Sequence, residues 1–334
     1  IRRNGDGSVR MIYSGKSTSD TGDAVTIGDS QFNSKYWDPT YVGYKYNEDF
    51  SLHESNGTTG YDWFTNTTKY NFGTGYTFDQ STKKFTLTGD IKQLTWNNNH
   101  DEIVNNQLYS CLNTSCNVVY KVTGYINGTQ MRVQPISYSS NSLLTAQTNT
   151  TDSPIKTKLD SWYKTNLTSY TSKLADETFC NDRSITSGSG YLTTPTTLYG
   201  AYTRLQDGKK PSLKCSQDND KFKMSNGSAK LDYPVGLILA DEVALAGGRA
   251  YYNGGYSPNS NYYLYNGKYY WTLSPSFFDS YYSIARVWLV MPSGSLHPWY
   301  AVSYSLGVRP VINLKANTLI TKGDGSSLNP FVIS

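Results

Sequence analysis

No apolar run in this 334-residue chain approaches the ~18 residues needed to cross a bilayer. Dense lysine or arginine blocks are missing as well: 30 basic and 26 acidic residues are spread along the chain for a net charge of +4. The electrostatic footprint of a nucleic-acid binder is therefore absent. Histidine is scarce. His53, His100 and His297 stand far apart, so no HxxxH or HExxH spacing sets two metal ligands on one helix face. A GxSxG elbow, a GxGxxG loop and a complete GxxxxGK(S/T) phosphate loop are also lacking. These gaps remove the commonest signatures of hydrolases, nucleotide enzymes and metalloenzymes. The expectation is a protein that is not an enzyme, with no cofactor and no bound metal.

Cysteine occurs four times, at Cys111, Cys116, Cys180 and Cys215. The spacings do not supply the close CxxC pairs of a zinc site. Three pairings are open to four cysteines. Cys111–Cys116 closes a short loop, and Cys180–Cys215 staples a longer stretch rich in Gly, Ser and Thr. Disulfides are preferred over free thiols, which points to an oxidising, extracellular setting. The chain starts at Ile1 with neither Met nor signal peptide, and any export signal or membrane anchor is expected upstream of it.

What is present is aromatic. Hydrophobic residues make up only 37% of the chain, but aromatics make up 14%, so tyrosine takes over packing usually given to Leu and Ile. The opening "IRRNGDGSVRMIYSG" reads as a hairpin turning at Asn4–Gly7, and "LITKGDGSSLNPFVIS" mirrors it at the other end. Asp6 and Asp324 are read as turn residues rather than calcium ligands, because neither turn carries further oxygen ligands. Between Glu48 and Asn149, alternating patterns separated by Gly/Asn turns suggest a small all-β unit. Helix is expected in "DSPIKTKLDSWYKTNLTSY", where Ile155, Leu159, Trp162, Tyr163 and Leu167 share a face, Ser153 caps and Pro154 opens the first turn. A short second helix is expected around Asp241–Ala246, ended by Gly247-Gly248. Its adjacent carboxylates, Asp241 and Glu242, are explained by the helix dipole. Asp160 is read as helix surface.

Tyrosine is concentrated late in the chain. Twelve of the 30 tyrosines fall between Tyr251 and Tyr304, with Trp271, Trp288 and Trp299 among them. Phe277–Tyr282 and His297–Tyr300 follow neither a period of 2 nor of 3.6 and carry turn residues, so they read as loops. In "SIARVWLV", Ala285 and Val287 are expected to face a core while Arg286 and Trp288 face outward. Rigid aromatics flanked by Ser and Gly are the make-up of antibody-type binding surfaces.

The motifs "YYWTLSPS", "ARVW", "GVRPVINLK" and "KGDGS", with "RRNGDGSVRMIY", "IKTKLDSWY" and "LADEVALAGG" upstream, resemble a family of Tyr/Ser-rich surface proteins of gut Gram-positive bacteria and their phages. Such proteins are similar to the variable proteins of diversity-generating retroelements. The resemblance covers about Ile1–Tyr46 and Asp152–Ser334. It implies an α+β, C-type lectin-like fold of the formylglycine-generating-enzyme kind over residues 1–48 and 150–334. A β-rich insertion would occupy 49–149, and a variable region 271–314. In that family a reverse transcriptase copies a template with errors at adenines, and the copy replaces the codons of ligand-facing residues. Randomised Asn codons account for Phe277, Phe278, Asp279, Tyr281, Tyr282, Ile284, Arg286, His297, Tyr300 and Tyr304. Trp288, Met291 and Trp299 lie outside what such codons encode but fall in the same region and complete the expected ligand-binding set. The enzyme relative requires a reactive cysteine pair near its C-terminus; no cysteine follows Cys215, so that activity is expected to be absent. The expected partner is a protein ligand, with a glycan as the alternative. Nucleic acid is not expected, and membrane association only through an anchor outside this chain. The rival reading is a structural cell-surface or cell-wall adhesin module whose aromatics pack against neighbouring domains.

Overall fold

The computed structural model describes residues 1–47, 142–193, 195–208, 210–250, 264, 266–324, 326 and 328–333 in full, and the strands between 50 and 140 through their backbone. The chain divides into two compact units, Ile1–Asp49 with Ser140–Ser334, and Phe50–Ser139. Helix and strand are mixed, an α+β arrangement in general terms. No helix among the described residues is long and apolar enough to cross a membrane.

The Phe50–Ser139 unit is built of antiparallel strands. Val118–Ile126 pairs with Gln130–Ser140 on one side and Gln107–Ser110 on the other, and Tyr76–Asp79 with Lys84–Leu87 forms a separate hairpin. The Cys111–Cys116 pairing lies outside the described residues. The short helix Leu143–Ala146, capped by Ser142, belongs to the other unit, so the second boundary falls at Ser139/Ser140 rather than at 149/150.

In the larger unit the terminal hairpins form as the turns dictate. Arg2–Arg3 pairs with Val9–Ile12, which in turn pairs with Val311–Leu314. Asp6 Oδ1 accepts the Ser8 N–H at 2.8 Å, and Asp324 Oδ1 accepts that of Ser326 at 2.8 Å. Both aspartates thus close Asx turns. Ile320–Lys322 pairs with Val332–Ile333. The helix Pro154–Asn166 starts where expected, with Ser153 Oγ accepting the Lys156 N–H at 3.4 Å and Ile155, Leu159 and Tyr163 buried. Cys180 and Cys215 are bonded.

The principal sheet runs Ile185–Ser187, Thr197–Tyr199, Tyr270–Asp279, Ile284–Val290, Leu296–His297. Its central strand, Tyr270–Asp279, is buried along its whole length. Neighbouring strands flank it on both edges, and Gly200–Tyr202 and the helix Ala240–Leu245 pack against it. The register against Ile284–Val290 shifts twice, between Trp271 and Pro275 and again between Pro275 and Phe277. These bulges absorb Pro275, whose missing N–H would otherwise leave a gap in the ladder.

This strand corrects the sequence reading. Phe277, Phe278 and Asp279 are strand residues rather than loop residues, at 4%, 0% and 8% exposure. Trp288 was expected to face outward but is fully buried beneath Tyr202, ring centroids 6.2 Å apart. Arg286 was also expected outside and is only 9% exposed. The physical reason is common to all of them: Tyr270–Asp279 and its neighbour Ile284–Val290 are both buried at residues of either parity, so alternation says nothing about which face is wet.

The carboxylates of the short helix do more than answer its dipole. Glu242 is buried and bridges Arg2 Nε at 2.8 Å and Arg10 Nε at 2.7 Å, while its second oxygen caps the Leu239 N–H at 3.0 Å. Asp241 pairs with Arg204 Nη2 at 2.9 Å. A second buried cation, Arg183, holds Asp220 Oδ1 at 2.6 Å and donates to the Gln147 carbonyl at 3.0 Å and the Lys45 carbonyl at 3.3 Å. Arg183 therefore ties together the two chain segments that flank the Phe50–Ser139 unit. Their strands Lys45–Tyr46 and Thr151–Asp152 pair directly.

Candidate functional site

The turn Ser280–Ser283 joins the two long strands. Asp279 organises it: its Oδ1 accepts the N–H groups of Tyr281 and Tyr282 at 3.1 and 3.3 Å. Ser283 takes a left-handed conformation, φ 52°, that L-residues other than Asn, Asp and His seldom adopt. The result is a tight tip that projects Tyr281 (84% exposed) and Tyr282 (53% exposed) into solvent with their rings nearly perpendicular, centroids 4.7 Å apart.

The following segment, Leu296 to Tyr304, is laid against the edge of this hairpin by hydrogen bonds. Ser276 Oγ donates to the Pro298 carbonyl at 2.8 Å, and the Val302 N–H to the Ala285 carbonyl at 3.1 Å. From the other side Gln31 Nε2 donates to the Ser303 carbonyl at 2.8 Å. Between hairpin and segment lies a cavity of about 340 Å³ lined by Tyr282, Ile284, Arg286, His297, Trp299, Tyr300, Ala301 and Tyr304.

Arg286 forms its floor. Nη2 pairs with Asp279 Oδ2 at 3.1 Å and Nη1 donates to the Trp299 carbonyl. The guanidinium lies 5.2 Å from the Phe277 ring centroid and 5.6 Å from that of Trp299, both within cation–π range. Those two rings meet edge to face at 4.8 Å. Tyr300 stands edge-on to His297 at 5.3 Å and to Tyr304 at 5.2 Å, and a hydrogen bond with Tyr269 helps push its hydroxyl up to about 12. His297 Nδ1 accepts the Trp299 N–H at 3.2 Å. Burial, and secondarily the charge of Arg286, hold this imidazole below its ordinary range.

Of the residues singled out in the sequence, the pocket brings together Tyr282, Ile284, Arg286, His297, Trp299, Tyr300 and Tyr304, and the tip adds Tyr281. Phe277 and Asp279 serve it from beneath, as the ring and counter-ion of Arg286. Phe278 and Trp288 belong to the core, and Met291 sits in a separate turn, its N–H donating to the Ser295 carbonyl at 2.8 Å. The Asp279–Arg286 pair was missed. The two residues flank the turn at either end of a hairpin, and that opposition is the signal that could have revealed it.

A carboxylate group went unnoticed elsewhere. Asp152, Asp160 and Asp232 converge within 4.8 Å of one another, but Lys156 Nζ sits among them at 3.0, 2.5 and 3.0 Å. Asp160 is thus a buried lysine's partner rather than plain helix surface, and the lysine ammonium stands where a metal ion would have to go. A second cavity, about 450 Å³, is lined by Leu205, Pro211, Ala244, Gly248, Arg249, Ala250 and Leu296.

The chain matches no protein-family model, no curated protein and no solved structure.

Proposed function

We propose that this chain is a non-enzymatic ligand-binding protein, receptor- or adhesin-like, that displays the aromatic pocket on a C-type lectin scaffold at a bacterial surface or beyond it. On this reading the pocket is the variable region of a diversity-generating retroelement target. The observation that carries it is convergence. Seven side chains chosen as ligand-facing line one open cavity, although they come from three separate stretches of a 23-residue span, Tyr282 to Tyr304. Among the described lining residues none is a serine, cysteine or lysine nucleophile, and Arg286, a cation that could stabilise developing charge, is already paired with Asp279. The Cys180–Cys215 bond is compatible with an extracellular setting, and the mixed α+β arrangement with the proposed scaffold.

The burial of Phe278 and Trp288 narrows the surface without removing it: the wet aromatics are those of the tip and the pocket rim. A test is binding of labelled chain to a panel of intact bacterial cells, wild type against a Tyr282→Ala/Tyr304→Ala double variant. Both side chains are more than half exposed, so the fold should be retained. The reading expects at least one cell type to be bound and the double variant to lose about ten-fold in affinity, as removal of interface anchors does. Binding to no cell type, or equal binding by the double variant, would overturn it.

A further inference from the structure

Building on that ligand-binding reading, we infer that the pocket receives a single uncharged aromatic side chain presented by a protein ligand. Among the described residues the pocket holds one cation and one anion: both terminal nitrogens of the guanidinium and both carboxylate oxygens are engaged, and the Arg286 Nε, which has no hydrogen-bond partner, is buried away from the cavity. Arg286 is engaged by Asp279 and the Trp299 carbonyl, with its faces turned to the rings of Phe277 and Trp299. Asp279 has its remaining oxygen occupied by the Tyr281 and Tyr282 N–H groups. His297 is kept neutral near pH 7 by burial and by Arg286, and its Nδ1 is committed to the Trp299 N–H. A carboxylate, phosphate or ammonium entering here would shed its hydration and meet no uncompensated counter-charge, which is unfavourable.

A sugar fares little better. Its hydroxyl pairs call for planar polar side chains with lone pairs or N–H groups to spare, alongside a stacking ring. Among the described residues the one carboxylate and the one guanidinium at the pocket are committed, and the Tyr300 hydroxyl is shared with Tyr269. What the cavity does offer is ring and alkyl surface from Ile284, Tyr300 and Tyr304, enough to surround one large side chain in about 340 Å³. Around it the exposed Tyr281 and Tyr282 supply a rigid, amphipathic rim of the kind that excludes water from a buried anchor.

The experiment titrates the full chain with side-chain analogues, read by saturation-transfer NMR and tryptophan fluorescence. The probes are 4-methylphenol and 3-methylindole, against butylammonium, propionate and methyl β-galactoside. The two aromatic probes should saturate roughly ten-fold tighter than any of the others. Ala301→Trp, which fills the cavity, and Tyr304→Ala, on its exposed rim, should each weaken them by about ten-fold; should Ala301→Trp fail to fold, Tyr304→Ala decides. Equal or tighter binding of a charged or sugar probe, lost in the same variants, would keep the pocket as a ligand site and overturn its assignment to an aromatic side chain. No saturable binding by any probe, or binding that the folded variants leave untouched, would overturn the assignment and the ligand-binding reading together.

Discussion

Removing Trp288 should cost far more stability than an outward-facing side chain would. Trp288 is fully buried, its carbonyl accepting the Thr272 hydroxyl at 2.7 Å and its ring covered by Tyr202. Truncation to Ala leaves a cavity walled by a central sheet that bulges and flanking strands already fix in place, so little collapse is available. Such changes cost about 3–5 kcal/mol. For a domain of this size, each kcal/mol lowers Tm by about 2–4 °C, so Trp288→Ala should melt roughly 6–20 °C below wild type. Trp271, equally buried, with its indole N–H on the Ser30 carbonyl at 2.9 Å, should behave alike. Tyr281→Ala, at 84% exposure, leaves no cavity and should stay within ~0.5 kcal/mol, under about 2 °C. Far-UV circular dichroism melts of the three variants decide the matter. A Trp288→Ala protein melting within about 2 °C of wild type would refute the burial argument, as would a Tyr281→Ala protein damaged as severely as Trp271→Ala.

Three further expectations concern the supports of the site. Because the His297 imidazole is held below its ordinary pKa, its neutral form contributes stability that is complete above about 6.5 and is lost as pH falls through the depressed value. NMR titration should place its midpoint below 6.5, and His297→Gln should flatten the Tm–pH profile in that window; a midpoint at or above 6.5 would contradict the packing described. Opening the Cys180–Cys215 bond, which closes a 35-residue separation, should cost about 2–4 kcal/mol, checked by comparing melts of wild type and a Cys180→Ala/Cys215→Ala protein after unreduced peptide mapping. Replacing Phe50–Ser139 by a short Gly/Ser bridge should preserve a cooperative melt, because Lys45–Tyr46 pairs with Thr151–Asp152 and Arg183 binds the carbonyls of both flanking segments. A deletion product without a transition would show that the larger unit depends on the smaller.

Local signals read through cleanly wherever one residue does one job. Ser153-Pro154 before a 3.6-residue period marks the helix Pro154–Asn166, and the two GDGS turns mark hairpins, because cap and turn chemistry act within a few residues. The central strand was opaque for two reasons. Burial on both faces erases alternation, and the bulges around Pro275 break whatever period remains, so "SPSFFD" has the composition of a loop and the environment of a core. Ion pairs such as Arg10–Glu242 and Arg183–Asp220 join residues far apart in sequence, and charge alone cannot name a partner at that distance. The site itself was legible in its residue types and only half legible in its geometry: Tyr282, Arg286, His297, Trp299, Tyr300 and Tyr304 do meet, while Phe278 and Trp288 proved to be scaffold.

The measurement that bears most directly on the proposed role is sequencing of the Trp271–Leu314 coding stretch and its neighbouring DNA across cells of one lineage. The account predicts an adjacent reverse transcriptase gene and a near-repeat differing at adenines. Substitutions should concentrate at the codons of Tyr282, Ile284, Arg286, His297, Tyr300 and Tyr304, while the buried Trp271, Val308 and Arg309 stay fixed. A locus with no such repeat, or changes spread evenly over pocket and core, would contradict it.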